Sequence, residues 1–249
     1  METYQEVARV IREKKNVVAF TGAGISVDAG IPAFRGGQGL WEKYDPMEYA
    51  EIGAFVRYPE KVWIMLRDMG SLILTAEPSP AHKAIGALEK AGFLNAVITQ
   101  NVDGLHQLAG NTNVIEYHGN HRRMVCPGCS ATEPFTEDSL KALPYPVCGK
   151  CGGPYKPDVV FFGEPIPARA MRQANDEAMR CGVMVIVGTS GVVYPAAEIP
   201  FMAARNGAII VEINVAPTPF TSAISNHFIE GSSSAVLPTI IRELGLSGE

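Results

Sequence analysis

The run Val17-Val18-Ala19-Phe20, continuing into Thr21-Gly22-Ala23-Gly24, constrains this chain more than any other stretch. Consecutive apolar residues with no polar alternation read as a parallel strand buried on both faces, and such a strand needs helices above and below it. A Gly-x-Gly turn at its carboxyl end lets backbone N–H groups approach a phosphate closely. The stretch onward through Ser26, Gly30 and Phe34-Arg35 therefore reads as a nucleotide cradle, with a plain strand-to-helix turn as the alternative. A full dinucleotide fingerprint needs a third glycine three residues after Gly24, where this chain has Val27, so ordinary hydride transfer is not expected.

The same grammar recurs along the chain. Ala96–Thr99, Val114–Tyr117, Asp158–Phe161, Val183–Val187 and Ala208–Ile213 read as further strands. Helical faces fall between them at Val7, Val10 and Ile11, at Ala81, Ile85 and Leu88, after Pro167, after Pro195, and at Val236, Leu237, Ile240 and Ile241. Thr3 and Glu6 have capping-box spacing, and Ser26 is placed to cap a short helix that Pro32 stops. Repeated strand-helix alternation predicts an α/β fold, a Rossmann-like doubly wound parallel sheet built from residues 1–35, 76–119 and 156–249. Residues 36–75, with a helical face at Val62, Met65, Leu66 and Met69, form a helical insert over the cofactor loop.

Residues 120–155 break the rhythm and read as a separate small module. Cys126-Pro127-Gly128-Cys129 and Cys148-Gly149-Lys150-Cys151, with eighteen residues between the pairs, have the spacing of a four-thiolate structural zinc site; a redox dithiol is the alternative. A module this poor in apolar residues needs such a staple. Over 249 residues, 47% hydrophobic content suffices for a sizeable core, and a net charge of -5 offers no general attraction to nucleic acid. Met1–Glu6 carries no signal-peptide pattern and no long apolar run follows, so a cytoplasmic protein without membrane association is expected.

Polar residues follow the strands where open α/β sheets bind ligands. Gln100-Asn101-Val102-Asp103 offers amides and a carboxylate able to pair with a carboxamide, or simply a capped loop. Gly188-Thr189-Ser190 and Asn214 sit in equivalent places. His118, before Gly119 at a strand end, can take a hydroxyl proton near neutrality, with His82, His106, His121 and His227 as competitors and His106 the nearest rival.

Taken in order, these motifs, with Gly30-Ile31-Pro32-Ala33-Phe34-Arg35, Phe162-Gly163-Glu164 and Ile213-Asn214, resemble the sirtuin family of NAD-dependent protein deacylases over nearly the whole chain. The resemblance implies that Gly22, Ala23, Gly24, Ser26, Phe34, Arg35, Gln100, Asn101, Val102 and Asp103 surround the nicotinamide, phosphates and ribose of NAD. Gly188, Thr189, Ser190, Asn214 and Val215 would hold the rest of it. His118 becomes the general base, assisted by Asn101, and Val159, Phe161, Glu164, Val193 and Tyr194 flank an acyl-lysine peptide added as a strand. The implied reaction consumes NAD: the acyl oxygen displaces nicotinamide to give an alkylamidate, and products are nicotinamide, free lysine and O-acyl-ADP-ribose.

Departures from the family pattern are Ala33, Val102 and Gly191. Relatives selective for succinyl or malonyl lysine carry a Tyr-x-x-Arg pair where this chain has Leu66 and Met69, so acetyl or longer apolar acyl groups are expected, with Arg67 the residue to suspect if a succinyl peptide were preferred. A mono-ADP-ribosyltransferase and a non-enzymatic NAD-sensing zinc adaptor are the rival readings.

Overall fold

The computed structural model describes residues 2–34 and 39–246. Its strands, in chain order, are β1 (Val17–Thr21), β2 (Leu94–Thr99), β3 (Val114–Glu116), β4 (Gly119–Val125), β5 (Thr132–Pro134), β6 (Lys156–Val159), β7 (Val183–Val187), β8 (Ile209–Asn214) and β9 (His227–Glu230). Six of them form one sheet in the order β3-β2-β1-β7-β8-β9, every neighbour parallel.

Alternation along the strands explains why both faces must be covered. Val17 and Ala19 of β1, with Val183, Val185 and Val187 of β7, pack under helices Glu2–Lys14, Pro80–Lys90 and Ser233–Glu243. Val18, Phe20, Met184 and Ile186 point the opposite way, onto helices Ala168–Arg180 and Glu198–Arg205. The expected doubly wound sheet is thus present with six strands, β9 standing in it where the apolar runs announced Asp158–Phe161. The edge strand β9 is bounded by His227 and Glu230 and lacks a continuous apolar run.

Several local expectations are corrected. Asp158–Phe161 does not continue the parallel rhythm; the strand starts at Lys156 and pairs antiparallel with β4 in a second sheet, β5-β4-β6. A segment carrying Lys156, Pro157 and Asp158 cannot be sandwiched between two helical layers. Thr3 lies inside the first helix instead of capping it. Residues Ala23–Ala29 form a 3-10 helix whose cap is Gly22, not Ser26, and Gly30, at φ 84°, ends it before Pro32.

The cysteine-bearing segment does not build its core alone. Trp63, Met65 and Met69 of helix Pro59–Thr75 share one apolar cluster with Met124, Phe135 and Tyr155. The Trp63 ring stacks on Phe135 at 6.2 Å, and its indole N–H donates to the Tyr155 carbonyl at 2.9 Å. Insert and module therefore make a common small lobe. Among the described residues, no helix is long and apolar enough to cross a membrane.

Candidate active site at the carboxyl edge of the sheet

β1 and β7 are adjacent, and the loops leaving their carboxyl ends touch: Gly22 N–H donates to Val187 O at 3.0 Å and Gly24 N–H to Gly188 O at 2.8 Å. A methyl group on Gly24 would lie 2.7 Å from Gly188 Cα, so a side chain there would force two backbones apart. Strand order reverses here, successive strands being added outward to β3 on one side and to β9 on the other, which is where open sheets bind ligands. A cavity of about 970 Å³ opens at this point and runs to the small lobe.

The cavity floor is held by a network of side chains. Thr21 Oγ1 lies 2.9 Å from Thr99 Oγ1 and 3.0 Å from His106 Nε2. Asn101 donates through Nδ2 to Gly22 O at 3.1 Å and Ser26 Oγ at 3.0 Å, leaving Oδ1 as the group its amide can offer. Ser26 donates to Asp103 at 2.8 Å, and the other Asp103 oxygen accepts from Leu105 N–H at 2.9 Å. Gln100 donates to Thr189 Oγ1 at 2.9 Å, and Asn214 to Thr189 O at 2.8 Å, which ties β2, β7 and β8 together.

His118 stands at the middle of the cavity wall. Its Nδ1 is 3.1 Å from Gln100 O; a carbonyl can only accept, so Nδ1 carries the proton and Nε2 is left as an acceptor. Burial lowers its pKa, although the Gln100 carbonyl opposes this, so the ring stays neutral to lower pH than a free histidine. Gly119 follows at φ 82°, and a Cβ there would sit 2.1 Å from Asp158 O. Only glycine permits β6 to approach so closely, and that approach carries Val159 and Phe161 to the cavity. The rival His106 is wholly buried and engaged by Thr21, and burial holds its pKa well below the usual value.

Beside the small lobe the lining is mostly apolar, with Met65, Leu66, Met69, Val102 and Phe161; His121 also contributes, its ring nitrogens buried. Arg67 is not there: its guanidinium donates to Leu140 O at 3.2 Å and Ala142 O at 2.7 Å and also reaches Pro144 O. Phe34 stacks on Trp41 at 5.2 Å beside the entrance.

The four paired cysteines form a closed set, with all four sulfurs within 4.8 Å of one another. Cys126 and Cys151 sulfurs are 3.4 Å apart, and Cys129 and Cys148 3.6 Å. Tetrahedral Zn–S bonds of about 2.3 Å imply S···S separations near ~3.8 Å, so the set is able to hold one zinc ion. Each pair closes a turn alike, Ser130 N–H donating to Cys126 O and Gly152 N–H to Cys148 O, both at 2.8 Å. Burial opposes ionisation of Cys148, yet the Cys151 and Lys150 N–H groups draw its pKa down to about 6.

The Sir2 family model matches residues 22–195. The chain belongs to the Sir2 family. A relative from Pyrococcus furiosus, an NAD-dependent protein deacylase, is 46% identical, covering 96% of this chain and 97% of the relative. NAD-dependent protein deacylase 2 of Pyrobaculum aerophilum is 47% identical, over 96% and 94%. The solved structure of a Sir2 homolog–NAD complex matches with TM-score 0.91 at 40% identity, over 97% of this chain and 93% of that one. Another, of Sir2 with a deacetylated p53 peptide and 3′-O-acetyl-ADP-ribose, matches with TM-score 0.93 at 35% identity, over 98% and 100%.

In this Sir2 chain the cavity brings together Gly22, Ala23, Gly24, Phe34, Gln100, Asn101 and Val102 with His118. Gly188, Thr189, Ser190, Asn214 and Val215 line it as well, as do Val159, Phe161 and Glu164 beside the small lobe and Val193 and Tyr194 beyond β7. Ser26 and Asp103, expected as direct contacts, are not among its lining residues: Ser26 accepts from Asn101 and donates to Asp103, whose other oxygen accepts from Leu105 N–H. Glu164 lines the rim, but its carboxylate accepts from Phe161 N–H at 2.8 Å and pairs with buried Lys156 at 3.0 Å. Arg35 lies outside the described residues. Sequence reasoning weighed His121 only as a rival base and missed its place in the wall. The positive-φ break at Gly119 spoils the period-two reading that would have shown which way it points.

Proposed function

We propose that this chain is an NAD-dependent protein-lysine deacylase acting on acetyl or longer apolar acyl groups. The observation that carries the reading is the continuity of one cavity from the glycine cradle, past a histidine with a free Nε2, to an apolar end. Gly22 and Gly24 suit NAD because a side chain at either would collide with the Gly188-Thr189 loop that closes the cradle. When bound, NAD supplies the ribose carbon and hydroxyl to which the acyl group passes.

The chain's own residues do the rest. His118 Nε2 accepts a ribose hydroxyl proton while Nδ1–H on Gln100 O holds the tautomer. Asn101, braced by Gly22 and Ser26, presents its Oδ1 to the ribose or to a water. Gly188, Thr189, Ser190, Asn214 and Val215 take the adenosine half, and the Phe34–Trp41 stack keeps water from the reacting carbon. Lys156 and Glu164 fix the Val159–Phe161 strand, against which an extended acyl-lysine peptide pairs opposite Val193 and Tyr194. The four cysteines hold zinc for structure, and the reduced thiols suit a cytoplasmic setting.

Incubation with NAD and acetyl-lysine peptide should release nicotinamide and O-acetyl-ADP-ribose in equal amounts. Transfer of ADP-ribose to protein, read by mass spectrometry, would instead favour the transferase, and nicotinamide release without peptide would overturn the deacylase reading.

A further inference from the structure

We infer that Arg122 is a positioning residue: from the small lobe it fixes the backbone of loop 101–103 and, through Asp103 and Ser26, the amide of Asn101. The inference rests on the deacylase reading and extends it to a residue outside the cavity lining.

A break in strand pairing gives Arg122 its place. β4 pairs with β6 at Gly119–Val159 and Asn120–Asp158 and then again at Met124–Pro157, so His121, Arg122 and Arg123 have no opposite number on β6. Extra residues on one strand bend it and re-aim its side chains. Here the bend serves the loop after β2. His121 N–H donates to Val102 O at 2.7 Å, and Arg122 Nε donates to Asp103 O at 2.8 Å. The other arm of the guanidinium donates to Ile73 O at 3.0 Å. That carbonyl lies in the last turn of helix Pro59–Thr75, where carbonyls lack partners within the helix and a cation is favourable. Gly104, at φ 72°, leaves the room required, since a Cβ there would stand 2.9 Å from Arg122 Cδ and Nε. The base of the side chain is held as well: Arg122 N–H donates to Asn120 Oδ1 at 2.8 Å, and its carbonyl accepts from Phe135 N–H at 3.0 Å.

From Asp103 the path to the site is short. The Asp103 carboxylate accepts from Ser26 at 2.8 Å, and Ser26 Oγ accepts from Asn101 Nδ2 at 3.0 Å. All three side chains are buried, so a displaced Asp103 has no solvent to take up the change. It passes instead to the Oδ1 that Asn101 presents. A planar guanidinium suits the task because its rigid fork holds two carbonyls at a fixed separation, one in each lobe.

The test is steady-state kinetics of Arg122→Met, which keeps an apolar stem beside Gly104 and loses every donor. Its kcat should fall roughly ten- to hundredfold while the KM for NAD and for acetyl-lysine peptide each stay within about twofold, because orientation and not binding is lost. Arg122→Lys, which keeps the charge and one reachable carbonyl, should recover part of the rate. The deciding comparison uses Ser26→Ala, which cuts the path between Asp103 and Asn101. On that background Arg122→Met should lower kcat no further, whereas an arginine that only steadies the small lobe would cost the same factor on both backgrounds. Equal factors overturn the proposal, as does an unchanged kcat in Arg122→Met or a loss confined to KM. If Arg122→Met does not fold, the same cycle is run with Arg122→Lys and read by the same criteria. Failure of the underlying reading looks different: the wild-type protein itself would release no nicotinamide with acetyl-lysine peptide.

Discussion

At the sheet edge of the large lobe, polar side chains complete one another: Ser26 with Asp103, Asn101 with Gly22, Gln100 with Thr189, Thr21 with Thr99. In the small lobe, four thiols crowd within 4.8 Å with no counter-charge among them. The large lobe can therefore hold its site geometry before any ligand arrives, while the small lobe contains a thiol set that only a cation completes. Backbone hydrogen bonds and apolar layers are enough for the first. The second has too few core residues of its own, and draws Trp63, Met65 and Met69 from the insert to build one.

The largest expected effect would break this contrast most directly. Chelation of zinc, or Cys148→Ser, should unfold the small lobe and abolish deacylation while the parallel sheet persists. The chain's two tryptophans, Trp41 and Trp63, both lie in the small-lobe cluster, so fluorescence reports that lobe and far-UV circular dichroism the rest. Simultaneous loss of both signals would show that the lobes are not independent. Next, His118→Ala should lower kcat/KM roughly 10²–10⁴-fold, the span of a lost general base, with NAD binding retained by calorimetry. A comparable loss of NAD affinity would instead make His118 part of the cradle.

Acid should stress both lobes through their buried histidines. Burial lowers the pKa of His82 to about 4, against the opposing influence of Asp103, and burial lowers His121 to about 4. The unfolded chain then binds more protons than the folded one between pH 6.5 and 4. The stabilisation is complete above about 6.5 and falls as pH falls through that window. Urea titrations at pH 7.5 and 5 would measure it, and His121→Leu should flatten the slope. Activity has its own acid limb: His118 must be neutral, so deacylation should hold below pH 6.5 and decline only as pH drops through its lowered pKa. The smallest effect is Gly24→Ala, whose methyl would meet Gly188 Cα at 2.7 Å. About 1–3 kcal/mol of stability should be lost, and the KM for NAD should rise. An unchanged KM would mean the cradle is looser than the loop contacts indicate.

Much of this was legible in the sequence because the physics involved is local. β1 and β7 could be read almost to the residue from apolar runs that only a two-sided burial accommodates. The cysteine spacing defines a tetrahedral thiolate set without reference to the rest of the chain. β6 was misassigned because Val159-Val160-Phe161 is apolar enough for either sheet, and nothing in the run states which partner it meets. β9 was missed because an edge strand tolerates His227 and Glu230.

By itself, then, the sequence determined the alternating layers, the glycine cradle, the paired cysteines and the set of polar residues that follow the strands, since each depends on spacing within a few residues. Only the tertiary structure decided how those residues face one another. It set Ser26 between Asn101 and Asp103, withdrew Arg67 to the carbonyls of the small lobe, and packed the His121 ring on Phe135. Those outcomes depend on the close approach of segments distant in the chain, which no local spacing encodes.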